Sequence, residues 1–107
     1  MNETTRTALT SFINAAQAQI DAHMERKFPT LSRHILVEDI GRRYVRIWNR
    51  CEGETGRGYA YCFVDMTNGD ILKPESRKKP AKHARGNIFT LQNVSDAVGV
   101  YGTNYLR

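Results

Sequence analysis

The chain has 107 residues, 40% of them hydrophobic and 25% charged, which suits one folded domain with a modest core and argues against wholesale disorder. Sixteen Lys/Arg against eleven Asp/Glu leave a net charge of +5, which favours an anionic partner. No apolar run approaches the roughly 18 residues that a membrane-spanning helix needs, and no membrane partner is expected.

The opening Met1–Thr10 is polar and mixed in charge, unlike a secretion signal, so the expectation is a reducing cytosol in which Cys51 and Cys62 stay thiols. From about residue 5 to 28, Leu9, Phe12, Ile13, Ala16, Ile20, Met24 and Phe28 recur at spacings of three and four. That period predicts one long amphipathic helix, capped by Thr4 or Thr5 and ended by Pro29. The apolar stripe is broad enough to cover a sheet.

The period then changes to two. His34–Glu38 reads as a strand, and Tyr44–Cys51 and Gly58–Met66 alternate cleanly around a short polar loop, so they should form a hairpin. Asn68-Gly69 favours a tight two-residue turn into a short return strand, Asp70–Lys73. The expected fold is α+β in a single domain. The long helix packs on a three- to four-stranded antiparallel meander over about 34–73, followed by a basic loop or arm (73–86) and a short C-terminal helix or tail (87–107). Within that last segment, Asn87–Phe89 is a candidate strand and Leu91–Val98 a candidate helical turn stopped by Gly99. Tyr101, Tyr105 and Leu106 are the residues expected to tie the tail down.

Strand alternation sorts the side chains onto two faces. Val45, Ile47, Ala60, Cys62, Val64 and Met66 suit packing against the helix. Tyr44, Arg46, Trp48, Arg50, Tyr59, Tyr61, Phe63 and Asp65 take the other face, with no obvious cover. The loop length suggests Cys51 opposite Gly58, hence Trp48 beside Tyr61, Arg46 beside Phe63 and Arg50 beside Tyr59. Rings interleaved with guanidinium groups can stack unpaired bases and hold phosphates. The same alternation also suits a self-covered face, with Leu91, Val94 and Tyr101 laid over it.

The whole net charge lies in Lys73–Arg85. There Lys73, Arg77, Lys78, Lys79, Lys82 and Arg85 face a single Glu75, while the rest of the chain is balanced. His83 would add charge in acid, and the amides of Gly86 and Asn87 suit a phosphate. The candidate nucleic-acid contacts are therefore Trp48, Tyr59, Tyr61, Phe63, Arg46, Arg50, Arg77, Lys78, Lys79, Lys82, His83 and Arg85. The cysteines and histidines show no metal-ligand spacing, and no phosphate loop or local nucleophile–base motif is present. The expectation is a binding protein without metal or cofactor.

Two resemblances bear on this reading. Arg57–Val64 (R-G-Y-A-Y-C-F-V) resembles the octapeptide box of RNA-recognition-motif domains, which implies Tyr59 and Tyr61 as stacking rings. Cys62 and Val64 depart from that pattern, and no strand precedes the helix to carry the companion box. The last third of the chain resembles small tailed-phage proteins. It does so through Gly69-Asp70-Ile71-x-Lys73-Pro74, Pro80–Phe89 (P-A-K-H-A-R-G-N-I-F) and the ending Val100–Arg107. That resemblance implies action in the cytoplasm of an infected bacterium. The expected partner is nucleic acid, DNA or RNA, bound without sequence specificity and preferably as single strands. A host or defence protein inhibited by direct binding and an anionic signalling nucleotide stay open as alternatives, as does a homo-oligomer.

Overall fold

The computed structural model describes residues 1–104. The expected anchoring of the tail by Tyr105 and Leu106 lies outside the described residues. Helix α1 spans Glu3–Lys27. Its cap is Asn2 rather than Thr4 or Thr5: Thr5 N donates to Asn2 Oδ1 at 2.8 Å, satisfying one of the orphan amides of the first turn. Glu3 at the start and Arg26 and Lys27 in the last turn complement the helix dipole. Leu9, Phe12, Ala16 and Ile20 form the buried stripe, at the spacing the sequence predicts.

Five strands follow: β1 (His34–Ile40), β2 (Tyr44–Cys51), β3 (Tyr59–Asp65), β4 (Asp70–Pro74) and β5 (Pro80–Asn87). They form one sheet in chain order, each antiparallel to its neighbour, so the fold is α+β with α1 laid on a meander. The fifth strand comes from the stretch expected to be a basic loop. Pro80 is tolerated as its first residue, and Lys82 and His83 are exposed, as charges on an edge strand should be. The expected strand at Asn87–Phe89 is therefore the end of β5 and the turn that follows. The Asn68-Gly69 turn is wider than two residues, because Asp65 holds it open: Asp65 O accepts from Gly69 N at 2.7 Å, and Asp65 Oδ1 accepts from Thr67 N at 2.9 Å.

Residues 88–104 return across the helix side through a single 3₁₀ turn at Val94–Asp96 and a Val98–Thr103 bridge. Ile88, Ala97 and Val98 join α1 and the sheet in one buried cluster with Val45, Ile47, Cys62, Val64 and Ile71.

Three register shifts interrupt the sheet, and the two that insert a single residue decide which side chains face where. Ile47 pairs with Cys62, but Trp48 pairs with Ala60, so Tyr61 is an extra residue in β3. Ile71 pairs with Gly86, but Leu72 pairs with Ala84, so Arg85 is an extra residue in β5. Each bulged side chain turns to the helix side and holds the C-terminal segment. Tyr61 Oη donates to Gly99 O at 2.6 Å, and Arg85 Nε donates to Asn104 O at 2.9 Å.

Candidate nucleic-acid interface

The bulge at Tyr61 divides the aromatic set expected on one face. Before the bulge, Arg46 lies opposite Phe63, as the sequence predicts. Past it, Trp48 lies opposite Ala60 and Asn49 opposite Tyr59, so the expected Trp48–Tyr61 and Arg50–Tyr59 pairs do not form. Alternation that counts one residue per step cannot register an inserted one, so Tyr59 and Tyr61 move to the helix side. Gly58 permits the sharp entry into β3: its φ is +79°, and a Cβ there would sit 1.9 Å from Asn49 O.

The outer face keeps Arg46 and Trp48 from β2 and Phe63 from β3. Trp48 and Phe63 are 3% and 1% exposed, although α1 and the C-terminal segment lie on the other side. The cover of Trp48 is cationic. The guanidinium carbons of Arg77, Arg46 and Arg57 sit 5.1, 5.4 and 5.8 Å from the Trp48 ring centre. Arg77 comes from the β4–β5 loop, which is closed by Glu75 N donating to Lys79 O at 2.9 Å. The basic segment is therefore a hairpin whose tip folds back over the sheet. Arg46 Nη1 donates to Arg77 O at 3.2 Å, fixing the tip in place.

Asp39 anchors the cluster from β1. Its Oδ2 accepts from Trp48 Nε1 at 3.0 Å and pairs with Arg46 at 3.2 Å. Beside it, the Phe63 ring meets Tyr44 edge-on at 6.1 Å, and Arg43 lies 5.1 Å from the Tyr44 ring centre. Arg43 also pairs with the buried Asp65 at 3.1 Å. Burial alone would push the Asp65 carboxyl up. Hydrogen bonds from Thr67 and the Arg43 guanidinium outweigh it and hold the group below the usual carboxylate value. An open cleft of about 510 Å³ continues between Arg43, Tyr44, Leu72, Lys79 and Lys82.

The expected contact residues thus separate into three groups. Arg46, Trp48, Phe63 and Arg77 come together on the outer face, and Lys79 and Lys82 line the adjoining cleft. Arg50 shares the face, with Nη1 donating to Glu54 O at 3.4 Å and a buried Nε that has no partner. Lys78 and His83 are exposed, and Lys79 is held 3.4 Å from Glu75. Tyr59 is 41% exposed on the helix side, where its Oη accepts from Asn49 Nδ2 at 3.0 Å. Tyr61 is sealed, and Arg85 is turned toward Asn104. Arg57, Arg43 and Tyr44 belong to the outer cluster but escape the sequence reading as contact residues. The available clue was the cation at 57, just before a strand that runs beside the only tryptophan.

Among the described residues no group of three or more His, Cys, Asp and Glu side chains is placed to hold a metal ion. No helix there is long and apolar enough to cross a membrane. No curated protein and no solved structure matches the chain. Residues 2–100 match the family model described as Family of unknown function (DUF7717), and the chain belongs to that family.

Proposed function

We propose that this protein binds single-stranded nucleic acid with little sequence preference, through the outer face of its sheet. The observation that carries this reading is the trio of guanidinium groups over Trp48, with Asp39 the one carboxylate in ion-pair contact with them among the described residues. A guanidinium lying on a ring keeps its outer plane free for a base, and the N–H groups not spent on Asp39, Arg77 O or Gly58 O are left for phosphate. The rings support the cations from beneath. This differs from the expected arrangement, in which bases would stack on bare rings. The resemblance to tailed-phage proteins supports action inside an infected bacterium.

If Arg46, Arg57, Arg77, Lys78, Lys79 and Lys82 each meet a phosphate, log K falls against log salt with a slope of about −4 for single strands. Trp48 is the only tryptophan, so its emission reports contact without a label. Titration with oligonucleotides across a salt series should change that emission and give this slope. A flat signal at about 50 mM salt, where such binding is strong, would remove the reading. A host protein recovered from nuclease-treated lysate, with no oligonucleotide binding, would favour the inhibitor alternative.

A further inference from the structure

On the helix side, away from the arginine cluster, four side chains form a continuous polar chain. His34 and Cys51 are direct partners across β1 and β2. Cys51 Sγ lies 3.9 Å from His34 Nε2, and His34 Nδ1 lies 3.0 Å from Asn49 Oδ1. Asn49 is buried, and its Nδ2 donates to Tyr59 Oη at 3.0 Å. Each contact constrains the next. The Asn49 amide nitrogen is committed to Tyr59, so its oxygen faces His34 and can only accept. Nδ1 of the neutral ring therefore carries the proton, and bare Nε2 faces the thiol.

Two further observations suit a reacting partner. Cys51 is partly accessible, whereas Cys62 is sealed and burial pushes its thiol well up. An apolar cavity of about 100 Å³, formed by Ile20, Met24 and Val100, also borders His34, Asn49 and Tyr59. The nearby charges of Asp21, Arg33 and Glu52 are engaged with one another, at 3.0 and 3.8 Å. His34 and Cys51 are 17 residues apart in the chain, which is why no local motif reveals them.

We propose that Cys51 is a nucleophilic thiol with His34 as its general base, and that it exchanges with small disulfides carrying an apolar group. His34 Nε2 takes the thiol proton as the Cys51 sulfur attacks one sulfur of the disulfide. The new S–S bond forms as the old one breaks, and the departing thiolate recovers the proton from His34. Cys51 ends as a mixed disulfide, and the other half of the reagent ends as a thiol. The cavity beside the imidazole receives the apolar substituent.

The test follows the reaction of the full chain with 4,4′-dithiodipyridine by absorbance at pH 7. One thiol should react in the native protein and both in urea, with Cys51→Ser removing the native phase. His34→Gln should slow that phase by about 100-fold or more, the lower end of general-base assistance. Native Cys51 should also react faster than the same thiol in the urea-unfolded chain, a comparison that needs no folded variant. Equal rates in wild type and His34→Gln, or a native thiol slower than the unfolded one, would overturn the proposal.

Discussion

On the side of the sheet that α1 covers, Val45, Ile47, Cys62 and Val64 meet Leu9, Phe12, Ala16 and Ile20, and the seal is aliphatic. On the opposite side Trp48, Phe63 and Leu72 are nearly as dry, yet they stand outside that cluster. Trp48 there lies beneath guanidinium groups from its own strand, from the β2–β3 loop and from the tip of the β4–β5 hairpin. Apolar packing makes the first face a source of stability, at roughly 25 cal/mol per Å² buried. Long cations covering rings make the second a surface: their stems and planes exclude water while their edges stay wet. A small sheet without a second layer can thus bury both faces and still present charge to a ligand on one.

The largest test of this contrast is Ile20→Ala. It should cost about 2–5 kcal/mol in urea unfolding, as for other core truncations; a loss well under 1 kcal/mol would mean the helix side is not the main core. Asp65→Asn comes next, at about 1.5–3 kcal/mol near neutral pH, because it removes a buried, hydrogen-bonded carboxylate. The folded-state value of Asp65 is lowered. Its contribution is therefore complete above the unfolded value of about 4 and fades as pH falls through the folded one. The substitution should flatten the acid limb of the stability curve; an unchanged limb would deny the Thr67 and Arg43 contacts their role.

Tyr61→Phe should cost about 1–2 kcal/mol by stranding Gly99 O, and should raise hydrogen exchange around residues 97–104. No change in exchange there would separate the bulge from the C-terminal segment. Arg77→Ala should be the mildest for stability, since exposed guanidinium–ring contacts are worth under about 1 kcal/mol. Its signature is optical: Trp48 emission moves to the red and acrylamide quenching rises. Unchanged emission would mean that the outer face does not depend on its arginines for cover.

Much of this architecture is legible in the sequence. The Leu9–Ile20 spacing locates the helix, and the alternation in Tyr44–Cys51 and Tyr59–Asp65 locates the central hairpin, because both patterns are periodic over several turns or pairs. β5 escapes such a reading because an edge strand needs few apolar residues, and its charges and Pro80 imitate a loop. The outer site is half legible. Arg46 beside Phe63 follows from loop length, but the Tyr61 bulge has no local signature and moves two of the four expected rings to the other face. Arg77 over Trp48 depends on how the hairpin tip curls, which no short-range pattern encodes.

The inserted residues at Tyr61 and Arg85 make the gene unequally sensitive to changes in length. Loss of the Tyr61 codon would let the neighbouring strands zip up evenly with Ala60 still opposite Trp48 and Tyr59 still opposite Asn49, and only the tether to Gly99 would go; loss of the Ala60 codon would instead set Tyr61 opposite Trp48 and bring its phenol among the arginines. A substitution at the same codon leaves those assignments alone. Indels should therefore be far better tolerated in the polar connection over residues 52–57 than one step away from either irregularity, a pattern that a deletion scan read out by folding would reveal directly.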